Sequence, residues 1–356
     1  MSRLSKLRSK MLEMSWDSVI IFGELNQRYL TNFAFTDGLL LISQNDAFLL
    51  TDFRYYEAAL LRANKEFTVV EPAARSKFVS DFFSNTDSKN VAFDGDSVNY
   101  STYEKYRNEY VNITFESLGD TLDLMRMVKS EDEIQKLQLA QDITDKAFSQ
   151  VLVMIDPEMT EIEVALELEY AMRKNGAESF SFETVAVSGD ASAVPHGTPR
   201  NIKLQRGFLT MDFGAKYDGY CADMTRTVVI GKADEEMKKL YNTVLRAQRA
   251  ALDFLREGVD CGEADRVARD IIDAEPEFVG TFGHSLGHSI GLNVHEMPGL
   301  SKRFFGTKLQ CGQITSVEPG IYLFGKYGCR IEDMVAIEKN GVHNFTHSPK
   351  DLLEIY

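Results

Sequence analysis

Histidine and cysteine are scarce in this chain of 356 residues, six and four in number, and neither occurs before His196. The cysteines, Cys221, Cys261, Cys311 and Cys329, show no C-x-x-C spacing, so they suit neither a disulfide framework nor a thiolate zinc site, and reduced cytoplasmic thiols are expected. Basic charge is in deficit: the formal net charge is −15, which argues against a nucleic-acid binder or a binder of anionic membranes, since both need a basic face. No apolar run reaches the length of a membrane span. The basic start MSRLSKLRSK precedes an apolar run, Val19 to Phe22, too short for a signal-peptide core. A cytoplasmic protein without nucleic-acid or membrane partners is the expectation. A glycine-rich phosphate loop and low-complexity segments are also missing.

What remains is an ordinary globular composition, 44% hydrophobic and 26% charged, on a chain long enough for two domains. Over residues 1–125, short apolar runs such as Ser18 to Phe22, Gly38 to Ile42, Ala47 to Thr51 and Val91 to Phe93 alternate with helix-compatible segments. That alternation predicts a small α/β domain without chemistry-bearing residues. Composition shifts at GDTLDLMRMVKSEDEI, and residues 126–356 read as a second, α+β domain. Ser130 and Glu133 form a capping box for a helix reaching about Met154, and Thr160 caps another to Lys174 with Ile162, Ala165, Leu166 and Tyr170 on one face. Strands follow from Phe180, then helices over Asp234 to Arg256 and Gly262 to Ala274, then glycine-punctuated strands. Each helix pair precedes a hairpin, a faint internal symmetry.

The first hairpin is MDFGAKYDGYCADMTRT, with its tip at Asp218-Gly219, a sequence suited to a turn with positive φ at both central residues. If Tyr217 faces Tyr220, Asp212 faces Thr225 and Gly214 faces Asp223, so Asp212 and Asp223 share one face as diagonal neighbours. A second hairpin in ITSVEPGIYLFGKYGCRIEDMVAIE, centred on Gly325, sets Glu318 opposite Glu332. Facing carboxylates destabilise a sheet unless a cation lies between them. Two divalent cations would neutralise the four, with His288 as a nitrogen ligand. Three of the six histidines, His284, His288 and His295, fall in GHSLGHSIGLNVHE, where glycines exclude a helix and predict loop and strand. Oxygen-rich ligation with one imidazole favours manganese, iron or cobalt, with zinc as a further option.

The ordered series PHG at His196, DFG…D, HSLGH…HE, VEPG and RIED resembles the pita-bread metallopeptidases, the family of aminopeptidase P, prolidase, creatinase and methionine aminopeptidase, and is nearest the prolidase and aminopeptidase P branch. The resemblance implies a C-terminal pita-bread fold, two β-hairpin and helix halves forming a curved sheet, behind a smaller N-terminal creatinase-type α/β domain. It implies that Asp212 chelates one metal, that His288 and Glu318 bind the other, and that Asp223 and Glu332 bridge both. His196, His284 and His295 match outer histidines that contact substrate and stabilise the tetrahedral intermediate, and Arg330 matches an arginine beside the site. The implied activity is hydrolysis of Xaa-Pro bonds in dipeptides or at peptide N-termini, with two divalent metal ions, manganese first, and a homodimeric assembly. Glu318 is the residue expected to shuttle the proton of the attacking water. Ser289 stands where the family often has glycine, Asn293 where an acidic residue is common, and Ser316 precedes VEPG. The competing readings are a creatinase-like hydrolase that needs no metal and a catalytically silent peptide-binding module, both of which sit poorly with five retained ligands.

Overall fold

The computed structural model describes residues Met1–Tyr356 as two compact units, Met1–Arg126 and Met127–Tyr356. The first unit is built on six short strands, β1 Ser18–Ile21, β2 Leu39–Ser43, β3 Ala47–Leu50, β4 Thr68–Val70, β5 Asn90–Phe93 and β6 Thr114–Ser117. They form one mixed sheet in the order β4-β3-β2-β1-β5-β6, antiparallel across β1, β2 and β3 and parallel at both flanks. The central strands SVII and LLLIS are buried along their whole length, as uninterrupted apolar runs require. Helices including Arg3–Met14, Phe53–Arg62 and Arg75–Asn85 connect and cover the strands.

The second unit repeats one plan twice. Helices Glu131–Leu152 and Glu161–Lys174, each opened by a complete capping box at Ser130 and Thr160, precede β7 Ser179–Phe180, β8 Val185–Ser188, β9 Gly207–Phe213, β10 Ala215–Tyr217, β11 Tyr220–Cys221 and β12 Met224–Ile230. Helices Glu235–Phe254 and Cys261–Asp273 then precede β13 Gly287–Ser289, β14 Glu296–Leu300, β15 Ile314–Val317, β16 Gly320–Leu323, β17 Tyr327–Arg330, β18 Asp333–Glu338, β19 Gly341–Asn344 and β20 Glu354–Ile355. Strand alternation sorts β9 between two cores. Leu209, Met211 and Phe213 pack with Phe148, Leu168 and Met172 of the first helix pair, while Phe208 joins Tyr241, Ala268, Val317 and Val335 of the second half. Asp212, in phase with Phe208, therefore looks toward the second half.

Of the apolar face expected on the helix after Thr160, Ala165 alone is buried. Ile162, Leu166 and Tyr170 are exposed, and the helix buries Val164, Leu168 and Met172 instead. Both stripes have i, i+4, i+8 spacing, and the one that meets the sheet takes the core. No helix is long and apolar enough to cross a membrane.

Candidate metal centre

The first hairpin turns at Asp218 and Gly219, both with positive φ, 44° and 88°. Tyr217 pairs with Tyr220 and Asp212 with Thr225, the register read from the sequence. The hairpin is not continuous, however. β9 and β12 pair in one sheet and β10 and β11 in another, with the break at Gly214, where a Cβ would stand 1.9 Å from the Ala222 carbonyl oxygen. Asp223 occupies the matching gap between β11 and β12. The second hairpin also keeps one register, Val317 with Asp333 and Gly320 with Arg330. It too is broken, and its two gaps hold Glu318 and Glu332. The backbone N–H groups freed there are used elsewhere, Glu318 donating to Leu286 at 2.8 Å and Glu332 to Thr225 at 3.1 Å. Three of the four carboxylates thus stand where ladder pairing lapses and the chain re-aims.

The four carboxylates, with His196, His284, His288, His295 and Arg330, line one cavity of about 440 Å³. One oxygen of three of the carboxylates is held by a neighbouring side chain. Asp212 Oδ2 accepts from Arg330 Nη2 at 2.6 Å, Glu332 Oε2 accepts from Thr225 Oγ1 at 2.7 Å, and Glu318 Oε1 accepts from Ser316 Oγ at 3.2 Å. Asp223 Oδ2 lies 3.5 Å from His288 Nε2. The other oxygens of three of them, Asp212 Oδ1, Asp223 Oδ1 and Glu332 Oε1, are buried without any hydrogen-bond partner. Burial, and then the charges of Glu332, Asp212 and Glu318, push Asp223 well above the usual carboxylate range. Burial followed by Glu318 and Asp212 does the same to Glu332, and burial pushes Glu318 up to about 8 against the pull of Arg330.

His288 sits on β13. Its Nδ1 faces the Ser289 carbonyl at 3.3 Å, and a carbonyl only accepts, so the proton is on Nδ1 and the Nε2 lone pair points at Asp223 and Glu318, 3.5 and 3.4 Å away. A lone pair facing two carboxylate oxygens is a repulsive arrangement that a cation between them reverses. Donor atoms of Asp223, His288 and Glu332 lie within 4.8 Å of one another. Burial holds His284 and His288 down to about 4 and lowers His295, so these rings are neutral near pH 7, the form that ligates. Orphaned buried oxygens, raised carboxylates and an unprotonated imidazole nitrogen all fit divalent cations.

The outer histidines divide into two kinds. His284 is engaged at both ring nitrogens: Nδ1 donates to the Ser285 carbonyl at 2.9 Å, and Nε2 accepts from Tyr322 Oη at 2.9 Å. Tyr322 Oη in turn accepts from Arg330 Nη1 at 2.7 Å. His196 and His295 are exposed on the cavity wall and make no hydrogen bond, His295 standing edge-on to His288 with ring centroids 4.3 Å apart.

Two polar residues of the site escaped the sequence reading. Thr225 bridges the halves, donating to Glu332 and accepting from Arg330 Nε at 2.9 Å; its pairing with Asp212 was the available signal. Tyr322 had a weaker one: it pairs with Gly328, which sets it diagonal to Arg330 on the same hairpin, whereas His284 reaches it from outside that hairpin.

Known proteins bear on this geometry. Residues 135–339 match the model of metallopeptidase family M24, and residues 3–128 match that of the creatinase/prolidase N-terminal domain. The chain is 38% identical to the uncharacterized peptidase YqhT of Bacillus subtilis, over 99% of both chains. Its fold matches an Xaa-Pro dipeptidase from Bacillus anthracis with a TM-score of 0.94 at 38% identity, covering 99% of each chain. An X-Pro aminopeptidase from Thermotoga maritima matches with a TM-score of 0.91 at 36% identity, covering all of both. With both of its domains matched in order and its carboxylates gathered on two broken hairpins, the chain belongs to metallopeptidase family M24, a pita-bread domain behind a creatinase/prolidase N-terminal domain.

Proposed function

We propose that this protein is a dinuclear metallopeptidase that hydrolyses Xaa-Pro bonds, in dipeptides first and at the N-termini of longer peptides second. The observation that carries the metal half is the set of buried carboxylate oxygens without partners around an unprotonated His288 Nε2. The names of its relatives, a dipeptidase and an aminopeptidase acting before proline, support the substrate half. Asp212 would hold one ion, His288 and Glu318 the other, and Asp223 and Glu332 both. Manganese suits this oxygen-rich set, with cobalt, iron and zinc as alternatives. Bound there, divalent ions supply Lewis acidity and a water acidic enough to serve as nucleophile near neutral pH.

The chain's own groups do the rest. Glu318, between Ser316 and His288, takes the proton of the attacking water and returns it to the proline nitrogen. His295 and His196, with ring nitrogens unclaimed by the protein, are the donors available to the substrate carbonyl as it becomes an oxyanion. His284 is held by Tyr322 and acts by orientation. Arg330 fixes Asp212 and keeps its charge because Tyr322, Asp212, Glu318 and Glu332 outweigh the cost of burial. A bond to proline lacks an N–H and restricts the preceding residue, so a site that reads carbonyl and shape suits it.

The test is proline release from Leu-Pro and Ala-Pro by manganese-loaded protein, beside an Ala-Pro-Xaa tripeptide. Turnover of the dipeptides and its loss in Glu332→Ala are expected, the variant also retaining less than the full metal content. A loaded protein that leaves all three peptides intact would end this reading. A cytoplasmic homodimer belongs to the same proposal, and a sedimentation mass of 40.2 kDa, that of one chain, would remove the dimer.

A further inference from the structure

The cavity has one wall that neither the ligand set nor the outer histidines use. It is formed by Phe182 to Val185, at the entry to β8. Val185 pairs with Asp212 across β8 and β9, so Glu183 stands two residues, roughly 7 Å of extended chain, from the strand position facing a candidate ligand. Glu183 lines the cavity, is exposed at its rim, and makes no hydrogen bond or ion pair. Beside it Thr184 is 5% exposed, and its Oγ1 is buried with no partner. A buried hydroxyl left unsatisfied costs about 1–3 kcal/mol, so this wall is polar in a way that only a bound molecule or solvent completes.

Charge in the cavity is otherwise committed. Arg330, the one Lys or Arg in the lining, is spent on Asp212, Thr225 and Tyr322. The remaining carboxylates are the four already described, three of them buried and Glu318 half-buried. Glu183 is the one carboxylate of the lining with no protein partner and free access to solvent.

We propose that Glu183 is a specificity residue that docks a cationic side chain, Lys or Arg, at the position before proline. The proposal rests on the Xaa-Pro reading and deepens it. Connectivity decides which substrate nitrogen is meant. The α-nitrogen lies two bonds, roughly 2.5 Å, from the scissile carbonyl carbon, and that carbon must sit on the floor with Asp223 and Glu332, which are 4% and 1% exposed. The α-nitrogen is therefore held near the floor. A lysine ammonium, carried roughly 6 Å from its Cα on a four-carbon stem, is not.

The experiment compares kcat/KM for Lys-Pro, Leu-Pro and Asp-Pro in manganese-loaded wild type, Glu183→Gln and Glu183→Lys, by proline release. The Lys-Pro to Leu-Pro ratio should fall about three- to fivefold in Glu183→Gln, the scale of a partly exposed ion pair, and further in Glu183→Lys, where Asp-Pro gains on Leu-Pro. In wild type the same ratio should fall on going from low to 1 M salt, where the screening length shrinks to about 3 Å; this readout needs no variant. A ratio equal in all three proteins and insensitive to salt overturns the assignment of Glu183 while leaving Xaa-Pro hydrolysis intact. Absence of proline release from every peptide in wild type defeats the underlying reading instead.

Discussion

Tyr322 joins the one buried cation of the site to one of its histidines. Burial pushes its hydroxyl up to about 12, so near neutral pH it stays a donor to His284 while accepting from Arg330. Replacing it by Phe leaves an Arg330 N–H and His284 Nε2 unpaired in a buried setting. Tyr322→Phe should lose about 1–3 kcal/mol in denaturant unfolding. With His284 free to turn, kcat on Leu-Pro should drop about ten- to a hundredfold, with little change in KM. An unchanged kcat in the folded variant would show that this chain of hydrogen bonds has no part in turnover. The pairing of Asp212 with Thr225, by contrast, was legible from spacing, because strand alternation and the turn register leave no freedom over which face the two residues present. Tyr322 illustrates the limit of that logic: its register partner is Gly328, yet its chemistry lies with His284 on another strand's approach.

Among the elements, the segment that carries His196 is pinned by a single carboxylate. Glu161, the first residue of helix Glu161–Lys174 and fully buried, accepts from the Ser188 N–H and hydroxyl at 2.7 Å each, from the Arg200 N–H and Nε at 2.9 Å, and from Arg200 Nη2 at 2.7 Å. Both ends of the span 188–200 are thereby tied to one helix terminus, a place that itself favours negative charge. Burial alone would raise this carboxyl, but Arg200 and Ser188 outweigh it and the net shift is downward from 4.5. The native state therefore holds this proton less tightly than the unfolded chain does. The stabilisation is present above the unfolded value and is lost as pH falls through the lowered native one. Glu161→Gln should cost about 1.5–3 kcal/mol at pH 7. The gap between thermal melts of variant and wild type should narrow as pH falls below 4.5 through the lowered native value, and a gap that stays constant throughout would contradict the account. At this scale the sequence was readable where local chemistry decides, as at the capping boxes of Ser130 and Thr160. It was unreadable where tertiary choice decides. Two apolar stripes on one helix competed for the core, and two seemingly continuous hairpins concealed breaks, at Gly214 in the first and at Glu318 in the second. Alternation gives the face of a residue but not the bend of the ribbon that carries it.

For the whole molecule, the site is a seam. Its aspartates come from the first hairpin, its glutamates from the second, and Thr225 with Glu332 stitches one to the other. Divalent ions bound across it should stabilise the folded protein, by about 2.7 kcal/mol when free metal is a hundredfold above Kd. Calorimetry should accordingly record a higher Tm with manganese than with EDTA, and equal values would remove the ions from the structure's energetics. The paired plan of helices followed by hairpin was visible in the sequence as a faint repeat, since capping signals and turn residues mark both copies. The meeting of the copies was not, because it depends on contacts between residues far apart in the chain.

Thr225 and Glu332 are 107 residues apart in the sequence although their side chains touch. At roughly 5–20 residues per second, synthesis of that interval takes roughly 5–20 s, during which the aspartate hairpin has been made and the strand that follows Glu332 has not. The four carboxylates can therefore come together only once the last strands have been made.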